Sequence, residues 1–178
     1  MKERFIKIVL VGDNNVGKTS FLTAYYEQQF PKTVGQVSDF DSKHVVFDKY
    51  PVELGMYDTS ADPQYDKYRA VICDQADLFL LCYSVVNPVS FESLLNFVNE
   101  INSHSKKPKF AILGLKTDLL NDETVLNEQY SSNVTPVLDR QAEQLQKYIK
   151  AVSKFAVTSH NIADVNIVVK EAVLSIFK

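Results

Sequence analysis

The sequence predicts an α/β fold, in which a mostly parallel sheet of six strands alternates with about five helices. Short apolar runs recur along the chain, and a longer stretch with helical spacing follows most of them. The 178 residues are 46% hydrophobic and 23% charged, close to the average for a soluble globular domain. We therefore expect a single domain over residues 1–178.

The first half of the chain predicts three strands and one helix. The run 5–11 is typical of a buried strand, and a helix follows over 17–28. Residues 43–47 and 52–57 indicate two further strands. The turn-like sequence 48–51 between them favours an antiparallel hairpin.

The second half continues the alternation. The nearly continuous apolar run at 77–85 is typical of a central strand that is covered on both faces. The other predicted elements are strands at 109–113 and 155–157 and helices at 89–103, 139–151 and 164–177. Residues 121–134 are polar and weakly periodic, so we expect a surface insert there with one short helix.

The charge balance argues against some classes of partner. With 19 basic and 22 acidic residues the net charge is −3, which gives no general attraction to nucleic acid or anionic lipid. No apolar run approaches the roughly 18 residues of a membrane span. We expect a monomer without a nucleic-acid partner, in which any phosphate is held locally.

The strongest chemical signal is a G-x-x-x-x-G-K-T motif directly after the first predicted strand. It reads Gly12-Asp13-Asn14-Asn15-Val16-Gly17-Lys18-Thr19, and Ser20 follows it in the predicted helix. Glycines let the backbone amides curl toward phosphate oxygens, and the helix N-terminus adds a positive end. The lysine is suited to the β- and γ-phosphates and the threonine hydroxyl to Mg²⁺. This motif predicts a site for the phosphate chain of a nucleotide.

Two further signals lie at the ends of predicted strands. Lys116-Thr117-Asp118 follows the 109–113 strand, and Asp118 can accept hydrogen bonds from N1–H and the 2-amino group of guanine. Adenine offers neither group, so a buried carboxylate would favour guanine over adenine by roughly 10⁴–10⁵. This residue therefore favours GTP over ATP. Asp58 ends the 52–57 strand, where it either supports Mg²⁺ through water or only caps the turn.

In this order and spacing, the motifs resemble those of the Ras-like small GTPases, and the Rho branch in particular. The segments whose sequences resemble the Rho branch are Phe30-Pro31, 52–59, 84–92 and Thr135-Pro136. The last of them follows an insert of the length that the Rho branch carries. The resemblance implies the six-stranded G domain of a P-loop small GTPase. It also implies GTP or GDP and Mg²⁺ as cofactors, effector proteins and an exchange factor as partners, and a role in actin organisation.

Carried over by residue, the resemblance assigns the binding site. The phosphate, metal and base residues are Gly12, Gly17, Lys18, Thr19, Asp58, Lys116 and Asp118, with Leu119 beside the last. Phe30 falls where the family packs an aromatic edge against guanine, and the Ser159 amide of Thr158-Ser159-His160 would meet the guanine carbonyl. The Mg²⁺-binding threonine of the first switch falls at Thr33 or at Gln36, depending on where the gap is placed.

Departures from the family concentrate at the reaction centre. The family's D-T-A-G-Q reads Asp58-Thr59-Ser60-Ala61-Asp62, so Asp62 replaces the glutamine that orients the attacking water. A carboxylate there adds negative charge near the γ-phosphate. Ala61 replaces a glycine whose amide approaches the γ-phosphate, and Asn14 replaces a small phosphate-loop glycine. We expect slow or absent hydrolysis, with no intact catalytic residue.

These departures leave two functions open. The first is a GTP-binding switch or scaffold that recruits effectors through the regions beginning near Phe30 and Asp58. The second is a working GTP hydrolase in which Gln64 positions the water instead. A small P-loop kinase is disfavoured, since the three arginines are too widely spaced for an arginine-rich lid.

Two further features bear on affinity and location. Leu115 stands where the family has Asn or Thr, which removes a polar contact typically worth about 1 kcal/mol. The sequence reaches Lys178 without a basic tail or C-a-a-X box. We expect a cytoplasmic protein, or a membrane-associated one if the full-length chain carries a lipidated C-terminus.

Overall fold

The fold is described here from a computed structural model, which describes residues 2–31, 42–62, 64 and 66–177. Its six strands form one sheet in the order β2-β3-β1-β4-β5-β6. The strands are β1 (Arg4–Val11), β2 (Lys43–Phe47), β3 (Tyr50–Asp58), β4 (Leu78–Ser84), β5 (Phe110–Leu115) and β6 (Ser153–Val157). β2 runs antiparallel to β3, and the other pairs are parallel. The predicted six-stranded, mostly parallel α/β fold is confirmed.

Helices cover the sheet on both faces. In the described chain they are α1 (Lys18–Glu27), α2 (Asp66–Cys73), α3 (Pro88–Glu92), α4 (Leu94–His104), α5 (Glu123–Ser131), α6 (Asp139–Ile149) and α7 (Ile162–Ile176), with a 3₁₀ helix at Thr117–Asn121. None of the described helices is long and apolar enough to cross a membrane. The insert at 121–134 carries the one short helix expected of it, α5.

Strand β1 divides the core into two apolar layers. Ile6, Ile8 and Leu10 point to the face that packs with α1 and α7, while Val9 and Val11 point to the face that packs with α4 and α6. This alternation follows from the pleat of a strand. Because both faces of β1 are buried, its carboxyl end is held rigidly, and the residues after Val11 are positioned by the sheet.

The structure differs from the prediction in two helical regions. The predicted helix 89–103 is two helices, α3 and α4, that meet at Ser93. The Ser93 hydroxyl donates to the Val89 carbonyl at 3.1 Å, a contact that competes with helical hydrogen bonds and often bends helices. Helix α2 was not predicted, because eight residues carry too weak a periodic signal and form a helix only with tertiary support.

Strand boundaries also shift at the hairpin. Tyr50 and Pro51 were expected in the turn, but both lie in β3, where they pair with Phe47 and Val46. The turn is therefore only two residues long, and Asp48 enters it with a φ of 54°. A left-handed φ at an aspartate is typical of tight turns, so the shorter turn is consistent with the local sequence.

Candidate nucleotide-binding site

Two adjoining cavities open at the carboxyl ends of the strands. One, of about 630 Å³, lies beside the loop after β1 and the end of β3. The other, of about 240 Å³, lies beside the loops after β5 and β6. They share Gly17, Ser20 and Lys116 as lining residues and so form one cleft. This is the edge of an open α/β sheet where the strand order reverses and ligands bind.

The loop between β1 and α1 needs glycine at its first position. Gly12 has a φ of 149°, and a Cβ added there would lie 2.1 Å from the carbonyl oxygen of Cys82 on β4. Any side chain would therefore push the loop off the neighbouring strand. Gly17 has a φ of 113° and is the residue that precedes α1. Both positions support the interpretation of this segment as a phosphate-binding loop.

Lys18 opens α1 with its side chain turned back into the loop. It is only 6% exposed, and its Nζ donates to the carbonyls of Gly12 at 2.8 Å and Asp13 at 2.9 Å. The side chain therefore places a buried positive charge in the loop that would hold phosphate. Asn15 and Val16 complete the loop, and Val16 is buried in the core while Asn15 is exposed.

Thr19 and Asp58 meet at the floor of the larger cavity. The Thr19 hydroxyl donates to Asp58 Oδ2, while Asp58 Oδ1 is buried and has no hydrogen-bond partner in the described structure. Burial raises the pKa of Asp58, and the Thr19 hydrogen bond and the Lys18 charge oppose that shift. An orphaned buried carboxylate oxygen beside a hydroxyl oxygen is a donor set that fits Mg²⁺, directly or through water.

Two residues of this cavity were missed by the sequence analysis as site residues. Thr59 is buried, and its hydroxyl donates to the Leu10 carbonyl at 2.7 Å, which ties the end of β3 to β1. Ser60 lines the cavity beside it. Their position directly after Asp58 at a strand end was the available signal.

The base-side cavity brings together the residues predicted to read guanine. Lys116 has a φ of 64°, and its Nζ donates to the Asn15 carbonyl at 2.5 Å, which links the base loop to the phosphate loop. Leu119 and Ser159 line this cavity, and Ser159 is buried. Asp118 lines it too but is exposed. Discrimination of guanine from adenine requires a buried carboxylate, so the base itself would have to cover Asp118.

Phe30 and His160 close the side of the smaller cavity. Their rings stack with centroids 3.7 Å apart and planes 21° apart. The backbone N–H of His160 donates to the Thr158 hydroxyl at 3.3 Å, which shapes the loop that carries the ring. The structure thus joins Phe30, three residues beyond the end of α1, to the loop after β6, a contact that the sequence did not predict.

Asn14 and the residues after Thr59 form the third part of the cleft. Asn14 Oδ1 accepts a hydrogen bond from the Ala61 N–H at 3.2 Å. Gln64 contacts Asp62 twice, because its backbone N–H donates to Oδ1 at 3.1 Å and its Nε2 donates to Oδ2 at 2.8 Å. Both carboxylate oxygens of Asp62 are therefore engaged by Gln64.

Of two other predictions, the structure describes the position of Leu115 but not the candidates for the first switch. Leu115 is fully buried in the apolar core below Gly17, so the position that the family fills with a polar residue packs here as hydrophobic core. Thr33 and Gln36, the two candidates for the metal-binding residue of the first switch, lie outside the described residues. The choice between them stays a prediction.

The strand–loop–helix unit with Lys18, together with the Thr19–Asp58 pair, defines a P-loop nucleotide-binding protein of the α/β class. Comparison with protein families agrees, since the model of the Ras family matches residues 7–177. The chain belongs to the Ras family. It is a small GTP-binding switch protein of a family that binds GTP or GDP with Mg²⁺ and acts with effectors and exchange factors.

Proposed function

We propose that this chain is a Rho-like GTP-binding protein that hydrolyses GTP slowly or not at all and acts as a signalling switch or scaffold. Lys18 and Asp58 are buried, and the Thr19 hydroxyl donates to Asp58, so these three residues are suited to phosphate and Mg²⁺. Asp62 and Gln64 instead bind each other. The mutual engagement of these two side chains is the single observation that carries the proposal.

The binding half of the proposal follows from the chemistry of the buried set. Lys18 offers a positive charge to the β- and γ-phosphates, and the loop amides and the α1 N-terminus add further donors. Thr19 and Asp58 would hold Mg²⁺, which when bound neutralises phosphate charge. On the base side, Lys116, Asp118, Ser159 and Phe30 would surround guanine.

The hydrolytic half depends on what orients the attacking water. Asp62 stands at the glutamine position, and a carboxylate there opposes the negative charge that develops in phosphoryl transfer. Gln64 reaches the same region, but its amide is held by Asp62. To position a water it has to break that contact, which is why we favour slow hydrolysis over a working hydrolase.

The Rho assignment and the cellular role are further parts of the proposal. They are supported by the Rho-like segments around Phe30 and residues 84–92 and by the helical insert at 121–134. By analogy with that branch, the partners would be effectors of actin organisation, docking on the regions near Phe30 and Asp58. We propose a cytoplasmic monomer, with membrane association only through a lipidated C-terminus.

Single-turnover hydrolysis tests the proposal directly. The protein is loaded with GTP, Mg²⁺ is added, and the GDP formed is measured with time. We expect a rate well below the intrinsic Ras value of about 3–5 × 10⁻⁴ s⁻¹. A rate near that value, or strong stimulation by an activating protein, would contradict the proposal. In that event, loss of the rate in Gln64→Ala would identify Gln64 as the water-positioning residue, and an unchanged rate would exclude it.

A further inference from the structure

The contact between Asn14 and Ala61 joins two loops that are distant in sequence. Leu10 of β1 pairs with Asp58 of β3, so the chain segments that leave these parallel strands run side by side. Four residues beyond Leu10 and three beyond Asp58, the Asn14 carboxamide oxygen accepts the Ala61 N–H at 3.2 Å. A glycine at position 14 has no side chain and could not make this contact.

Every backbone donor from residue 61 to residue 64 is satisfied within the protein. The Ala61 N–H is bound by Asn14, the Asp62 N–H donates to the Ser60 hydroxyl oxygen at 3.2 Å, and the Gln64 N–H donates to Asp62 Oδ1. Position 63 is proline, which has no N–H to donate. None of these backbone N–H groups therefore needs a γ-phosphate as its hydrogen-bond acceptor.

A bound γ-phosphate would have to compete with these internal acceptors. A hydrogen bond to a charged oxygen is stronger than one to a neutral carboxamide, but only the difference is gained when Asn14 is displaced. Asn14 already holds this amide beside the phosphate loop. We expect this contact to reduce the structural change that accompanies γ-phosphate binding.

We propose that Asn14 is a positioning residue that holds the start of the 61–64 segment in one arrangement whether GDP or GTP is bound. Partners that contact this segment would then bind the two nucleotide forms with similar affinity. The inference rests on the proposed function only in requiring a bound guanine nucleotide, and it does not require slow hydrolysis.

Amide hydrogen exchange at Ala61, measured by NMR, tests this. The protein is saturated with Mg²⁺ and either GDP or the slowly hydrolysed analogue GTPγS. In the natural chain we expect exchange at Ala61 to differ less than about threefold between the two forms. In Asn14→Gly we expect the GDP form to exchange about 2- to 12-fold faster, the effect of one neutral hydrogen bond, and a difference between the nucleotides to appear.

Asn15→Gly is the matched control. It removes the neighbouring asparagine at a position whose φ of 64° suits glycine, and Asn14 is retained. We expect it to leave exchange at Ala61 unchanged. Asn14→Ala provides a second variant with the same readout if Asn14→Gly is too unstable to measure.

Two results would overturn the inference. One is a difference of tenfold or more between GDP and GTPγS in the natural chain, and the other is unaltered Ala61 exchange in both Asn14 variants. The hydrolysis rate is measured on the same samples with GTP. A normal rate would contradict the proposed function without changing the Ala61 result, so failure of the two ideas can be told apart.

Discussion

The two sides of the phosphate cavity differ in how their polar groups are satisfied. On the buried side, Lys18 and Asp58 are less than a tenth exposed, and Asp58 keeps an oxygen without a partner in the described structure. On the side formed by Asn14 and residues 61–64, the N–H groups of Ala61, Asp62 and Gln64 and both Asp62 oxygens have protein partners. One side is built to receive a ligand, and the other is already self-satisfied.

The difference separates binding from turnover. A buried carboxylate oxygen without a partner, as at Asp58 in the described structure, is costly and is stabilised by a cation, so this side gains from Mg²⁺ bound with nucleotide. The 61–64 side gains little from the γ-phosphate, because its groups would exchange one partner for another. On our proposal, this difference would let the chain bind GTP and yet change little when GTP is hydrolysed.

The largest expected effect comes from removing the buried lysine. In Lys18→Ala we expect nucleotide affinity to fall by roughly 10²–10⁴. The lysine would donate two hydrogen bonds to charged phosphate oxygens, and such bonds contribute about 1.5–3 kcal/mol each. Titration calorimetry with GDP and Mg²⁺ measures it. Lys7→Ala is the control. Lys7 lies in β1, the strand that leads into the phosphate loop, and its Nζ also donates to a backbone carbonyl, that of Asp74, at 2.7 Å. Equal losses of nucleotide affinity in both variants would mean that Lys18 has no special role in binding, which would contradict the comparison of the two sides.

A second test uses the orphaned carboxylate. In Asp58→Asn we expect unfolding free energy without ligand to stay level or rise, because a buried charge is removed. With Mg²⁺ and GDP we expect the stabilisation by ligand, about 2.7 kcal/mol at a hundredfold excess over Kd, to be largely lost. Urea unfolding with and without ligand measures both.

Asp139→Asn serves as the control, because Asp139 is exposed and loses only a surface contact to Lys154. Equal destabilisation of Asp58→Asn in both conditions would mean that Asp58 has a purely structural role.

Replacing residues of the self-satisfied side by those typical of the family is expected to raise the rate of GTP hydrolysis. The combined variant Asn14→Gly, Ala61→Gly, Asp62→Gln should hydrolyse GTP at least about tenfold faster than the natural chain, a change of 1.4 kcal/mol in the barrier. It should also exceed each single variant, because residues that act as a unit are not additive. Single-turnover kinetics measures this. Full recovery in Asp62→Gln alone would show that Asn14 and Ala61 do not contribute.

The smallest expected effect concerns the aromatic pair at the base. In His160→Ala we expect nucleotide to dissociate about 2- to 12-fold faster, because an aromatic pair contributes about 0.5–1.5 kcal/mol. Release of a fluorescent GDP analogue measures the rate. His160→Phe should restore it, while His104→Ala, at the end of α4, should leave it unchanged. An unaltered rate in His160→Ala would mean that the stack does not hold the base.

Much of the fold was readable because its signals are local. Apolar runs located all six strands to within a few residues, and the glycine–lysine motif after β1 located the phosphate loop. Helix α2 was missed because a short amphipathic segment has no local signal strong enough to separate it from a loop. The exposure of Asp118 was not predictable either, because exposure depends on what surrounds a residue.

The sequence by itself determined the fold class, the phosphate loop and the acidic residue at the end of β3, since each depends on residue type and on spacing within one segment. Only the tertiary structure decided which side chains meet across segments. Asn14 reaches Ala61, Phe30 stacks on His160, and Lys116 joins the loop at Asn15 because the parallel strands bring their carboxyl ends to one edge. Such contacts depend on distances between segments, which no pattern within a single segment specifies.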